Sequence, residues 1–87
     1  VAIYGMGYLG ERLLEELRTT DIQIKYIIDK KAGSIFGGVP VRALTDNLEP
    51  VDAIIVTPVY YFYSVKRELK KRTDSSIISL EEVLSPQ

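Results

Sequence analysis

The sequence predicts an α/β protein of three layers, built on a doubly wound parallel sheet of about five strands in the order 3-2-1-4-5. Three observations predict this fold. Short β-branched apolar segments alternate along the chain with amphipathic helical segments. A glycine-rich turn joins the first apolar segment to the first helical one, and residues 53–56 form a continuous apolar run, as in a central buried strand.

The first half of the chain predicts two strands and one helix. Residues 1–4 are a short apolar strand, and residues 8–19 carry leucines at helical spacing with charged residues on the other face. Residues 22–28 first alternate between apolar and polar side chains and then become wholly apolar, and Asp29 follows them directly. This pattern indicates the second strand. Residues 30–38 are polar and contain glycines, so they predict a connector with at most one helical turn.

The second half predicts three strands and further helical segments. Pro40 cannot donate to a strand ladder, so its strand is expected at the sheet edge, or Pro40 itself at the strand start. In chain order the elements are a strand at 39–43, a cap and turn at 45–48, a strand at 52–57, a helix at 59–72, a strand at 75–79 and a helical turn at Leu80–Leu84.

Length and composition restrict the classes of function. At 87 residues the chain is a single small domain, 1–87, and its start inside the first strand suggests that it is part of a longer protein. No apolar run is long enough for a membrane helix, and the net charge of −1 argues against nucleic-acid binding. These residues contain no signal-peptide pattern, so we expect a cytoplasmic location.

The chain contains neither cysteine nor histidine, which removes thiolate chemistry and the commonest general base and metal ligand. A catalytic Tyr-x-x-x-Lys pair is also missing, because Tyr63 and Lys66 are separated by three positions and position 62 is Phe. The sequence therefore assigns no catalytic residue and no metal ligand, and it favours a binding module.

The glycines at 5, 7 and 10 have the GxGxxG spacing, between a predicted strand and a predicted helix. In that context the second glycine lets the backbone approach a pyrophosphate, and the amides of Met6, Gly7 and Tyr8 are candidate anion donors at the helix N-terminus. Asp29 ends the second strand, 19 residues after Gly10, where a carboxylate can accept hydrogen bonds from a ribose.

In the predicted topology, ligands bind outside the carboxyl ends of strands 1 and 4. The second of these ends carries Thr57 and Pro58, followed by Tyr60; Thr57 offers a hydroxyl, and Tyr60 a ring face for a base or a sugar. The candidate binding residues are Gly5, Met6, Gly7, Tyr8, Gly10, Asp29, Lys30, Thr57, Pro58 and Tyr60.

Four segments give the chain a resemblance to a known group: residues 1–10, 26–30, 38–41 with Leu44, and 51–58. It resembles the small Rossmann-like, CoA-binding-like domains of PglD-type sugar acetyltransferases and CapD-type nucleotide-sugar dehydratases. The resemblance implies a domain that binds a nucleotide-sugar or a dinucleotide in bacterial surface-polysaccharide biosynthesis, with catalysis in an adjacent domain of the same chain. It implies a UDP-sugar or NAD as ligand, with CoA as a further alternative.

Three hypotheses remain open from the sequence. The first is a nucleotide-binding or nucleotide-sugar-binding accessory domain. The second is the NAD-binding part of an oxidoreductase, for which Asp29 favours NAD over NADP. The third is a domain that binds no nucleotide and mediates assembly, including homo-oligomers, through its sheet edge or its tyrosine-bearing helix.

Overall fold

The computed structural model describes residues 1–84; the last three residues of the predicted domain 1–87 lie outside the described part. Six strands form one sheet in the order β3-β4-β2-β1-β5-β6, and three helices accompany it. The strands are β1 (Ala2–Tyr4), β2 (Tyr26–Ile28), β3 (Ile35–Phe36), β4 (Val39–Arg42), β5 (Ala53–Val56) and β6 (Ser76–Ser79); the helices are α1 (Tyr8–Leu17), α2 (Phe62–Lys70) and α3 (Leu80–Leu84).

The α/β class is confirmed, but the predicted count of five strands and the predicted order are wrong. The difference comes from β3, which lies in the segment 30–38 that we expected to be a connector. It pairs antiparallel with β4, whereas all other neighbours in the sheet are parallel. The strand that contains Pro40 is therefore not at the sheet edge, because β3 covers it.

A two-residue turn explains why β3 forms. Phe36 pairs with Val39, and the two residues between them are Gly37 and Gly38. Both glycines have positive φ, 58° and 82°, as a type I′ hairpin turn requires. The chain thus turns back on itself directly into β4, in the place where a longer fold would have a helix.

Several boundaries also differ from the prediction. β2 contains only the last three residues of the predicted strand, Tyr26–Ile28, which pair with Ala2–Tyr4 of β1. α1 ends two residues earlier than predicted. The predicted helix at 59–72 is divided into a 3₁₀ turn (Val59–Tyr61) followed by α2, which ends at Lys70.

The helices pack on both faces of the sheet. One face buries Leu80 of α3 and three leucines of α1, namely Leu13, Leu14 and Leu17. The other face buries Phe62 and Leu69 of α2. The strands contribute alternate residues to the two cores, for example Ile3 to the first and Ala2 to the second. None of the described helices is long and apolar enough to cross a membrane.

This arrangement determines where a ligand site can lie. The strands β1 and β5 are parallel neighbours, yet the helix that follows β1 packs on one face and the helix that follows β5 on the other. The two connections therefore separate at the carboxyl ends of these strands, and a crevice opens between them.

The link from β4 to β5 contains no helix and is held partly by a buried tyrosine. The Tyr26 hydroxyl donates a hydrogen bond of 2.7 Å to the backbone carbonyl of Glu49. Burial, with a smaller contribution from the negative charge of Glu49, raises the pKa of Tyr26 above its ordinary value of 10.0. The neutral phenol is therefore the form that the folded protein favours.

We expect this tyrosine to make the fold sensitive to alkali. The pKa of Tyr26 is higher in the folded than in the unfolded chain. Its contribution to the free energy of unfolding is therefore complete below the unfolded pKa of about 10, and it is lost as the pH rises through the folded pKa. Tyr26→Phe should lower the free energy of unfolding by about 1 kcal/mol near neutrality and lessen the decline at alkaline pH. Urea denaturation followed by circular dichroism, at a series of pH values, measures both. Parallel pH curves for the two proteins would contradict the assignment.

Candidate functional site

The crevice at the carboxyl ends of the parallel strands is a cleft of about 950 Å³. This volume is at the upper end of the range for small-molecule sites. The cleft is lined by eight of the ten residues predicted from the sequence: Gly5, Met6, Gly7, Tyr8, Asp29, Lys30, Thr57 and Pro58. The fold thus brings together the glycine loop (residues 5–10), the end of β2 and the end of β5.

Two of the three loop glycines are required by packing. Gly5 has φ of +106°, and a Cβ at this position would overlap the Thr57 hydroxyl and touch the Pro58 ring. A Cβ on Gly10 would overlap the backbone carbonyl oxygen of Gly5. Gly10 is buried beneath the loop and does not line the cleft, so its role is to let α1 approach the end of β1.

Gly7 differs from Gly5 and Gly10 in that a side chain would fit at its position. Its φ is −70°, an ordinary value for any residue, and a Cβ built on it has no atom within 4 Å. The packing of the protein therefore does not require glycine here. Gly7 lines the cleft, and glycine at this position leaves the backbone open to the close approach of a ligand.

The N-terminus of α1 faces the cleft without a side-chain cap. Gly7 is the N-cap residue and offers no side chain, and the first intrahelical bond is donated by Glu11 to the Gly7 carbonyl. Within residues 1–84, the amides of Gly7 and Tyr8 have no hydrogen-bond acceptor. Unsatisfied amides combined with the positive end of the helix dipole form an anion-binding arrangement.

Asp29 joins the glycine loop to the segment after β2. Its Oδ2 accepts a hydrogen bond of 2.9 Å from the Met6 amide, and its Oδ1 accepts one of 3.1 Å from the Lys31 amide. The Met6 amide, which the sequence offered as an anion donor, is thus already bonded within the protein. Each carboxylate oxygen has a second lone pair, so Asp29 can still accept a hydrogen bond from a ligand hydroxyl.

These contacts divide the polar part of the cleft into two regions. Asp29 presents negative charge and acceptor capacity, which suits hydroxyl groups and repels phosphate. The free amides of Gly7 and Tyr8 follow directly after Met6 in the glycine loop, and they suit an anion. Lys30 is exposed at the rim beside Asp29.

The hydroxyl of Thr57 forms a hydrogen bond within the protein, at the end of β1. Thr57 is 3% exposed, and its hydroxyl donates a hydrogen bond of 2.8 Å to the backbone carbonyl of Tyr4. Its amide donates to the same carbonyl at 3.1 Å. Thr57 therefore fixes the end of β5 against the end of β1, and its hydroxyl hydrogen is already used.

Tyr60 does not line the cleft, and its side chain is 97% exposed. The next residue, Tyr61, lines the cleft in its place. Both tyrosines lie in the 3₁₀ turn before α2, where the sequence predicted a continuous helix.

The other lining residues that were not predicted are mostly apolar. Tyr4, Leu44 and Val65 pack against the core on the α2 face and give the cleft an apolar wall. Leu44 follows β4, so the rule that ligands contact the carboxyl ends of parallel strands could have identified it. Val65 lies inside a helix, and no local signal identifies it. The unpredicted lining residues are Tyr4, Leu9, Ile28, Ala43, Leu44, Thr45, Tyr61 and Val65.

In the described part of the chain, no group of three or more acidic, histidine or cysteine residues is placed to hold a metal ion.

Comparison with protein-family models, curated proteins and solved structures found no match to the chain. The case for a function therefore rests on the geometry of the cleft and on the sequence motif that forms it.

Proposed function

We propose that the chain is a Rossmann-like domain that binds a nucleotide or a nucleotide-sugar, and that it serves a sugar-modifying enzyme without carrying catalysis itself. One observation supports the ligand class above all: the uncapped N-terminus of α1, with the free amides of Gly7 and Tyr8, opens into a large cleft next to an acidic residue. An anion donor and a hydroxyl acceptor side by side suit a phosphorylated ribose.

In this proposal the diphosphate lies against Gly7 and Tyr8, and the ribose hydroxyls donate to Asp29. The carboxylate keeps the anion away from its own end of the loop because it already occupies the Met6 amide. The apolar wall that contains Leu44 then provides a surface for the base. The setting in bacterial polysaccharide biosynthesis is supported by the sequence resemblance alone.

An NMR titration tests the proposal. We expect millimolar UDP-glucose, NAD or CoA to shift the backbone amide resonances of Gly7 and Tyr8 more than those of residues at the opposite edge of the sheet, such as Gln23. Uridine, which lacks the diphosphate, should leave the two loop amides nearly unchanged. Comparing the three nucleotides separates an accessory nucleotide-sugar domain from the NAD-binding part of an oxidoreductase.

The same titration can refute the proposal. If none of the nucleotides moves the loop amides, the domain does not bind nucleotides through this cleft. A concentration-dependent dimer seen by light scattering would then support the alternative in which the domain mediates assembly.

A further inference from the structure

Two exposed tyrosines border the mouth of the cleft, one at the start of each diverging helical segment. Tyr8 is the first residue of α1 and is 74% exposed; Tyr61 ends the 3₁₀ turn before α2 and is 68% exposed. Both line the cleft. Since α1 and α2 lie on opposite faces of the sheet, the two rings belong to opposite sides of the crevice.

Their surroundings distinguish these rings from Tyr63, a third exposed tyrosine nearby. The Tyr63 ring packs edge-on against Phe62, with centroids 5.3 Å apart and planes at 70°, and it does not line the cleft. Within residues 1–84, Tyr8 and Tyr61 have neither a ring partner nor a side-chain hydrogen bond. Each therefore has most of its aromatic surface free at the edge of a ligand-sized space.

We propose that Tyr8 and Tyr61 form an aromatic clamp for the ring carried by the outer phosphate of a nucleoside diphosphate. This inference rests on the proposed function, because the anion donors in the glycine loop fix the direction of the ligand. With the diphosphate at Gly7 and the first ribose at Asp29, the outer group extends away from Asp29, toward the end of β5 and Tyr61.

Tyrosine suits this role physically. Its ring provides a large, rigid contact surface at a low cost in conformational entropy, since only two torsions are fixed on binding. Aromatic side chains stack on planar rings such as nicotinamide and also pack against the C–H groups on the face of a hexose, and neither contact requires a particular pattern of hydrogen bonds. The clamp thus selects nucleotides that carry a ring beyond the diphosphate, which is the chemistry shared by a UDP-hexose and by NAD.

Two matched ligand pairs test the clamp. UDP-glucose is compared with UDP, and NAD with ADP, by calorimetric titration of the wild-type protein and of Tyr8→Ala, Tyr61→Ala and Tyr61→Phe. We expect the affinity ratio between the ring-bearing ligand and its truncated partner to fall about fivefold or more in each alanine variant. Tyr61→Phe keeps the ring and should keep the wild-type ratio. Tyr63→Ala, the matched control outside the cleft, should also keep it.

The outcomes separate the clamp from the proposed function. If UDP or ADP binds but the ratios do not change in the alanine variants, the clamp is refuted and nucleotide binding stands. If the wild-type protein binds none of the four ligands, the proposed function fails and the clamp with it. The pair whose ratio changes, UDP-glucose with UDP or NAD with ADP, identifies the ring as a hexose or as the nicotinamide half of a dinucleotide.

Discussion

Replacing Gly10 by alanine is expected to destabilise the fold by about 3 kcal/mol or more. The new methyl group would overlap the carbonyl oxygen of Gly5, which is a backbone atom that cannot rotate away. Overpacking costs about 1–3 kcal/mol where side chains can adjust, and more where they cannot. The alanine gains about 1 kcal/mol in helix propensity, which is too little to compensate. A domain of this size has a total stability of only about 4–13 kcal/mol.

The matched control for Gly10→Ala is the same substitution at Gly7. There the added Cβ has no atom within 4 Å and φ is already −70°, so no strain arises. Alanine is slightly worse than glycine as an N-cap but restricts the unfolded chain, and these effects, each below about 1 kcal/mol, have opposite signs. Urea denaturation of both variants compares them. Equal stabilities would show that α1 does not need its close approach to the end of β1.

The glycines of this motif differ in what the packing of the protein requires of them. Gly5 and Gly10 are needed by the packing of the loop against Thr57 and against its own backbone. Gly7 is not needed by any contact of the protein. In this GxGxxG segment the fold therefore requires the first and third glycines, whereas the contacts of the described residues do not require the second.

Much of the fold could be predicted from the sequence because its signals are local. The apolar run of β5 and the leucine spacing of α1 each identify an element without knowledge of its neighbours. The hairpin of β3 also had a local signal, since Gly37 and Gly38 stand between residues that can pair across a two-residue turn. We predicted a connector there because residues 30–38 are polar and contain glycines, and a strand of only two residues adds no visible alternation to that pattern.

Prediction of the site was limited by contacts distant in sequence. The topology rule placed the glycine loop, Asp29 and the end of β5 at one crevice, and they do line a common cleft. The rule does not specify which groups are already bonded within the protein. The Asp29 bond to the Met6 amide spans 23 residues, and the Thr57 bond to Tyr4 spans 53. Neither bond has a sequence signal, yet together they determine which donors remain free.

A carboxylate at position 7 is expected to strengthen the fold while abolishing nucleotide binding. In Gly7→Asp the new side chain can accept hydrogen bonds from the free amides of the first turn of α1 and interact with its dipole, which should add about 0.5–1 kcal/mol of stability. The same carboxylate lies next to the proposed diphosphate position. A unit charge about 4 Å away near a protein surface opposes an anion by about 4 kcal/mol, so we expect the affinity for UDP-glucose or NAD to fall at least a hundredfold.

Two controls isolate the charge at position 7 from its other effects. Gly7→Asn has the same size and is an equally good N-cap without the charge, so we expect it to weaken binding less than Gly7→Asp does. Gln23→Glu makes the same change in net charge at an exposed position on the opposite edge of the sheet, and it should leave binding unchanged. Thermal denaturation and calorimetric titration of these variants measure stability and affinity separately. An N-cap carboxylate at position 7 accepts hydrogen bonds from the amides of Leu9 and Gly10, and its charge opposes a diphosphate at the neighbouring amides of Gly7 and Tyr8. Wild-type affinity in a more stable Gly7→Asp protein would therefore show that α1 is capped by the new carboxylate and that the ligand binds elsewhere.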